Sequence, residues 1–366
     1  MKNTVVTIVG ARPQFIKVLP LVRDLKRAFD SKLIHTGQHY DYGMSEVFFE
    51  KLDIPKPDLN LNVGSGLHGA QTAMMLQRIE KALKKYAPSL VIVVGDTNST
   101  LGGTLAAAKM NIPVAHIEAG LRSYRMSMPE EINRVVSDRL SSVLFCPTRN
   151  AVRNLRKEGI TDGVFLTGDI MFDSLKMVLP ACRKNRGIMD ALGLKNKGYY
   201  LLTLHRDFNT DSRTGLGSLI KKLDRFGKKI VFPIHPRTRK AVRSFGLWDT
   251  LKNSRNLEVI DPLGYIDFLT LQARAAMVIT DSGGVQKEAY MLRVPCLTLR
   301  DETEWVETLK GKANRLAGRY GAYLDGAVRP ARWRCDWSKG AFGTGRASEK
   351  IVKVLERGYA FKRKGT

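Results

Sequence analysis

Leu90-Val91-Ile92-Val93-Val94-Gly95-Asp96-Thr97-Asn98-Ser99-Thr100 begins with five apolar residues in a row, stopped by Gly-Asp and followed by small polar residues. Five apolar residues without alternation read as a strand buried on both faces, as in a parallel sheet covered by helices on each side. Asp96 then stands at the carboxyl end of that strand. Ile112-Pro113-Val114-Ala115-His116-Ile117 is a weaker run of the same kind and ends in Glu118, followed by Ala119-Gly120-Leu121-Arg122. Ligands of open parallel sheets bind outside the carboxyl ends of the strands, so Asp96 and Glu118 are expected to face one crevice. A third acidic station, Met128-Pro129-Glu130-Glu131-Ile132-Asn133-Arg134, reads as a helix start, where Pro fits the first turn and acids suit the helix dipole. Carboxylates gathered in this way point to proton-transfer chemistry.

Outward from this stretch, strand and helix patterns alternate along the whole chain. Further strands are predicted at Val5 to Val9, Lys32 to His35, Pro113 to Ile117, Val143 to Cys146 and Val164 to Leu166. Phe15, Ile16, Val18, Leu19, Val22, Leu25 and Phe29 fall at helical spacing after the first of them, with Pro20 a candidate kink. The pattern restarts near Thr167-Gly168-Asp169-Ile170. A second series follows at Tyr199 to Leu204, Lys229 to Ile234, Leu257 to Ile260, Met277 to Thr280 and Pro295 to Leu299. The stretch 311–345, rich in Gly and Arg, reads as loops before a closing helix at 347–355. The fold class expected is α/β, with two doubly wound domains of ordinary size: residues 1–171, joined by a C-terminal helix within 346–366, and residues 172–345. Two such domains in tandem imply a deep cleft in which both contribute to one ligand.

Composition narrows the function classes. Hydrophobic residues make up 43% and charged residues 26% of the 366, and no apolar run nears the roughly 20 residues of a membrane helix. The start Met1 to Gly10 reads as the first strand rather than a signal peptide. Cys146, Cys182, Cys296 and Cys335 lie far apart in no ligand-like spacing, so neither a metal site nor a disulfide framework is indicated, and a reduced cytoplasmic setting is expected. The net charge of +25 raises polyanions as partners. The basic residues, however, are spread in short runs without the motif of a nucleic-acid-binding fold. A solvated basic surface that steers anionic substrates is therefore expected, and not a nucleic-acid partner.

Thr280-Asp281-Ser282-Gly283-Gly284-Val285-Gln286-Lys287-Glu288 has the form strand, tight turn, helix. Ser282 can cap the helix while Gly283 and Gly284 let free amide groups approach a phosphate; a capped helix without a ligand is the alternative. Glu288, one to two turns in, suits a vicinal diol such as ribose. Gly10-Ala11-Arg12-Pro13-Gln14-Phe15-Ile16-Lys17 is a second anion-friendly turn that lacks the glycine spacing of a dinucleotide fingerprint or P-loop. Arg12 and Lys17 could reach phosphates there, or Lys17 could be a solvated helix residue. His205 and His235 close successive strands, each with an arginine beside it (Arg206, Arg237), which favours an anionic site. No Ser-His-Asp order or metal-ligand spacing is legible.

Taken in order, these motifs, with His35-Thr36-Gly37-Gln38-His39, Leu204-His205-Arg206 and Ala289 closing the Thr-Asp-Ser-Gly-Gly run, resemble the non-hydrolysing UDP-N-acetylglucosamine 2-epimerase family from about residue 4 to residue 309. The resemblance implies two Rossmann-like domains of the B-type glycosyltransferase kind, with UDP held mainly by the second and a final helix crossing back to the first. It also implies inversion at C2 of a UDP-2-acetamido sugar without a redox cofactor, through loss of the C2 proton, elimination of UDP to a 2-acetamidoglucal and re-addition. Asp96, Glu118, Glu130 and His205 are the expected catalytic residues. Arg12, Lys17, Phe268, Ser282, Gly283, Gly284 and Glu288 are the expected substrate- and UDP-binding residues. A homodimer is implied as well. The chain departs from the common pattern at Thr303-Glu304-Trp305-Val306-Glu307, where Trp305 replaces an arginine, and at Leu263, which replaces a nucleotide-contacting glutamine. Near Gln71 an arginine of the family's regulatory site is unmatched. Gln14, Met44-Ser45-Glu46 and Trp305 look more like the branch acting on UDP-2,3-diacetamido-2,3-dideoxyglucuronate, the alternative substrate; a UDP-sugar glycosyltransferase is the more distant alternative.

Overall fold

The computed structural model describes residues 2–10, 12–37, 56–324, 333–337 and 340–358, and its chain divides into two compact units, Met1–Met177 with Ala341–Thr366 and Val178–Gly340. The N-terminal unit holds β1 (Thr4–Val9), β2 (Asp30–His35), β3 (Leu59–Asn60), β4 (Leu90–Val94), β5 (Val114–Ile117), β6 (Val143–Cys146) and β7 (Val164–Leu166), in the order β3-β2-β1-β4-β5-β6-β7. The C-terminal unit holds β8 (Tyr200–Thr203), β9 (Ile230–Pro233), β10 (Leu257–Ile260), β11 (Met277–Thr280), β12 (Cys296–Thr298) and β13 (Asn314–Leu316), in the order β10-β9-β8-β11-β12-β13. Every neighbouring pair is parallel. Both are Rossmann-like orders, with strand order reversing at β1/β4 in one unit and at β8/β11 in the other, the places where such sheets bind ligands.

The unbroken apolar run of β4 follows from this placement. Leu90, Ile92 and Val94 face a core that includes Val18, Val22 and Leu25 of the helix Arg12–Ala28, while Val91 and Val93 face Met75, Ile79 and Leu83 of the helix His68–Tyr86. Alternate residues of a strand point to opposite faces, so a strand clothed on both sides must be apolar throughout. β11 repeats the pattern, with Met277 and Ile279 in one cluster and Val278 in another. Pro20 is accommodated inside the helix Arg12–Ala28. The closing helix Ala347–Glu356 buries Ile351, Val352 and Leu355 in the first of these cores, and its opening amides at Ala347 and Ser348 donate to the Asp173 carboxylate (3.0 and 2.8 Å).

Two strands escape a reading of the sequence. β3 has two residues and β13 three, and β13 lies inside the Gly- and Arg-rich stretch expected to be loop. Its first residue, Asn314, is buried because its side chain bonds Thr298, Gln286 and Thr308, so a polar residue occupies a core position that apolar patterning passes over. Among the described residues no helix is long and apolar enough to cross a membrane.

Candidate active site

At the β1/β4 switch point, Gln14 ties the two strand ends together. Its Oε1 accepts from Gly10 N (2.7 Å) and its Nε2 donates to Val94 O (2.6 Å) and Thr97 Oγ1 (3.0 Å). Gly95 follows with φ +68°, a left-handed turn that glycine adopts without a Cβ penalty, and a Cβ there would stand 3.3 Å from Glu118 Oε2. The turn projects Asp96 from the end of β4. Glu118, just past β5, has the same φ of +68° without glycine's freedom, a conformation that costs roughly 1–3 kcal/mol and is held only when its surroundings fix it. Its carboxylate is buried against Lys17, with Oε2 to Nζ at 2.7 Å.

The helix Pro129–Leu140 closes the edge. Arg134 donates to Asp96 Oδ2 (2.5 Å) and to Glu131 Oε2 (2.8 Å), and Glu131 also accepts from the amides of Ser123 (2.9 Å) and Tyr124 (2.8 Å). These hydrogen bonds hold the Glu131 carboxyl below the usual range against the opposing effect of burial. Glu131 is thus consumed in closing the loop that leads into its own helix. Glu130, half-buried in the first turn, makes no hydrogen bond or ion pair among the described residues. Asp96 remains 32% exposed on its side chain while Glu118 is nearly enclosed at 3%, so the two acids meet solvent differently.

Beneath these acids lies a buried charge network. His116 Nε2 faces Gly95 O (2.8 Å) and its Nδ1 faces Asp138 Oδ1 (2.7 Å). Asp138 Oδ2 accepts from Gly120 N (3.0 Å) and Arg122 Nη1 (2.7 Å), and Arg122 forks onto Glu158 at 2.6 and 2.7 Å. His116 and Asp138 are fully buried. Both partners of the imidazole ring are acceptors, so both ring nitrogens must donate and His116 is an imidazolium. Burial alone would lower its pKa, but the charge and hydrogen bond of Asp138 raise it above the ordinary imidazole value; burial would raise Asp138, and His116 with Arg122 lowers it instead.

At the β8/β11 switch point of the C-terminal unit, Asp281 is fully buried and accepts from the amides of His205 (3.0 Å) and Arg206 (2.9 Å), with its Oδ1 3.4 Å from His205 Nδ1. These bonds turn the chain after β8 and set the His205 ring beside that of His235, centroids 5.3 Å apart. Burial lowers the pKa of both imidazoles, with Asp281 opposing. Ser282 caps the helix Gly283–Met291 by accepting from Val285 N. A Cβ at Gly283 would collide with Glu304 Oε1, and Glu304 in turn pairs with Arg300 at 3.0 Å. Further along the helix, Lys287 Nζ lies 4.0 Å over the Trp305 ring, and Glu288 Oε1 accepts from Tyr265 OH (3.0 Å). Phe268 is half-buried on the helix Tyr265–Arg274 against the apolar cluster around Leu271 and Val278.

A family model described as UDP-N-acetylglucosamine 2-epimerase matches residues 23–356. This chain belongs to the UDP-N-acetylglucosamine 2-epimerase family. It is 49% identical over 352 residues to a UDP-N-acetylglucosamine 2-epimerase homolog of Methanococcus maripaludis, covering 96% of this chain and 99% of that one. It is 42% identical over 362 residues to the UDP-2,3-diacetamido-2,3-dideoxy-D-glucuronate 2-epimerase of Pseudomonas aeruginosa, with 96% and 99% covered. A crystal structure of the Methanocaldococcus jannaschii UDP-GlcNAc 2-epimerase in complex with UDP-GlcNAc and UDP superposes with a TM-score of 0.88 at 43% identity, over 97% of this chain and 99% of that one.

For this family member, the structure gathers Asp96, Glu118 and Lys17 at the carboxyl strand ends of the N-terminal sheet, and His205, Ser282, Gly283 and Gly284 at those of the C-terminal sheet. Lys17, expected at a phosphate or in solvent, instead neutralises Glu118. The side chain of Arg12 and the stretches Gln38-His39 and Met44-Ser45-Glu46 lie outside the described residues. Gln71, near the family's regulatory position, accepts from Asn98 Nδ2 (2.8 Å) and donates to Gly64 O (2.7 Å). In the sequence Asp281 stands out only as part of a turn, and His116 and Asp138 carry no legible role. Asp281 could have been found, since it stands at a strand end like Asp96; Asp138 lies in mid-helix with no local signal.

The shifts at His116 and Asp138 fix a pH dependence of stability. A pKa raised by folding contributes stability in full below the unfolded value, about 6.5, and loses it as pH rises through the folded value. The lowered pKa of Asp138 contributes above about 3.8 and is lost on acidification. The stability difference between wild type and His116→Gln, measured by urea denaturation, is therefore expected to shrink as pH is raised from 6 to 9. A difference that grows over that interval would contradict a charged His116.

Proposed function

We propose that this protein is a non-hydrolysing UDP-N-acetylglucosamine 2-epimerase that interconverts UDP-N-acetylglucosamine and UDP-N-acetylmannosamine. The observation that carries the reading is the pair Asp96 and Glu118, set side by side at the ends of β4 and β5 with Lys17 and Arg134 on them. In this reading the C-terminal unit supplies the UDP-binding residues and the N-terminal unit supplies the acids. The Ser282-Gly283-Gly284 amides and the helix dipole take the diphosphate. A phosphate there displaces the Glu304 carboxylate from Gly283 and leaves Arg300 to pair with the phosphate. Phe268 lies under the uracil, and Glu288, held by Tyr265, accepts from the ribose.

The reaction breaks the C2–H bond, with the proton going to a carboxylate, and the C1–O bond, with its electron pair going to the β-phosphate of UDP, so that a C1–C2 double bond forms. Re-addition of UDP at C1 and protonation of C2 from the opposite face complete the inversion. Two faces require two groups, shared among Asp96, Glu118 and Glu130, each typically worth roughly 10² to 10⁴ in rate. His205, neutral near pH 7 because burial lowers its pKa, stands with the Ser-Gly-Gly amides where charge develops on the leaving phosphate.

A second substrate, UDP-2,3-diacetamido-2,3-dideoxyglucuronate, is favoured by Trp305, which replaces the common arginine and packs against the buried Lys287. Incubation of each nucleotide sugar in heavy water separates the two readings. Deuterium at C2 of both epimers, with UDP still attached, is expected for the true substrate, and Asp96→Asn or Glu118→Gln should lower that exchange by about 10² to 10⁴. Absence of exchange with both sugars would end the epimerase reading.

The working form we propose is a homodimer. Exposed Ile132 lines a groove of about 380 Å³ with Thr72, Leu76 and Leu101, and exposed Leu67 and Met74 are next in sequence to its lining residues His68 and Ala73, apolar surface of the kind a second copy would cover. Light scattering is expected to give twice the chain mass of 40.9 kDa, reverting toward one chain mass in Leu67→Glu/Ile132→Glu. A monomeric wild type would remove the proposal.

A further inference from the structure

We propose that His116, Asp138 and Arg122 form a positioning clamp that holds the strand end bearing Asp96 and the strand end bearing Glu118 in fixed register. The inference rests on the functional reading above, in which these acids work at C2. One carboxylate, Asp138, grips the chain around Glu118 at three points: the His116 side chain two residues before it, the Gly120 amide two residues after it (3.0 Å) and the Arg122 guanidinium four residues after it (2.7 Å). Through His116 Nε2 the same carboxylate reaches the carbonyl of Gly95, the residue before Asp96, at 2.8 Å. Gly95 N in turn donates to Ile117 O (2.9 Å), the residue before Glu118. Asp96 is therefore one residue, and Glu118 two residues, from a bond that belongs to the clamp.

The clamp sits under the acids and not among them. His116 and Asp138 are 0% exposed, so neither touches a substrate, and a catalytic role in proton transfer is closed to them. Charge is also a poor way to fill such a space for stability alone, since apolar groups of similar volume often do as well or better. What charged hydrogen bonds add is fixed direction and length. That matters at Glu118, whose left-handed backbone must be held by its neighbours. Asp138 further belongs to the helix Pro129–Leu140, which carries Glu130 and the Arg134 that grips Asp96, so all three acidic stations share one anchor.

The readout that separates positioning from mere stability is the fate of the intermediate. Loss of folded protein lowers every product in proportion, whereas two displaced acids uncouple elimination from re-addition and let 2-acetamidoglucal and UDP escape. The test compares wild type, His116→Gln and Asp138→Asn by proton NMR with UDP-N-acetylglucosamine, with the folded fraction read by circular dichroism. His116→Gln keeps an amide hydrogen for the Gly95 carbonyl and is the variant expected to fold. We expect kcat to fall by about 10²-fold, the loss that a displacement near 1 Å produces, with KM little changed and a raised ratio of released glucal to epimer. As a measurement that needs no variant, the ring nitrogens of His116 in ¹⁵N-labelled wild type should both carry protons at pH 7.

Variants whose rate falls only with their folded fraction, at the wild-type product ratio, would overturn the clamp, as would a His116 ring with a single proton. Wild-type exchange at C2 alongside unaffected variants removes the clamp alone. A wild type without exchange removes the functional reading and the clamp's role with it.

Discussion

The Asp138 carboxylate, sealed from water, is held by an imidazolium, a backbone amide and a guanidinium that all come from the short segment around Glu118, His116 to Arg122. A buried charge left without such partners costs several kcal/mol, so the chain is confined to the arrangement in which all three donors converge. That arrangement fixes where β4 ends, where β5 ends and how the helix Pro129–Leu140 lies across them. Asp96 and Glu118 inherit their positions from it, and the left-handed backbone of Glu118 persists because the residues on either side are bound. The reactive surface is thus set from below, by groups that themselves never meet solvent.

The C-terminal unit solves a matching problem in the same way. Asp281 is also fully buried and also sits at the reversal of strand order, but it holds backbone amides of the loop after β8 instead of a charged side-chain network. The result is a turn that presents His205 at the edge and begins the capped helix Gly283–Met291. One unit gathers carboxylates and the other gathers amides with neutral imidazoles. In the function proposed here the first set moves protons at carbon and the second receives charge at phosphate, a division that follows from which groups each switch point offers.

Much of this is legible in the amino-acid sequence. The uninterrupted apolar runs of β4 and β11 mark strands covered on both faces, and their abrupt ends mark Asp96 and the Ser282 turn, because burial dictates apolarity and a ligand edge dictates where it stops. The family resemblance rested on the residues at those edges. What escaped notice was decided by contacts between distant segments. Asp138 is an acid within an amphipathic helix, and nothing local distinguishes it from a solvated one. Lys17 reads as a phosphate ligand or a surface lysine until Glu118, 101 residues away, is found beside it. β13 was missed for a related reason: three residues that open with a buried asparagine carry no period to detect.

In the proposed reaction, departure of the C2 proton is coupled to departure of UDP from C1, and oxygen isotopes report that second departure. UDP-N-acetylglucosamine labelled with ¹⁸O in the bridge between C1 and the β-phosphorus is incubated with the enzyme and recovered. Cleavage of the C1–O bond frees the β-phosphate to rotate before re-addition, so the label should scramble into the non-bridging oxygens at a rate comparable with epimer formation. Epimerisation with the label still wholly in the bridge would contradict elimination and re-addition.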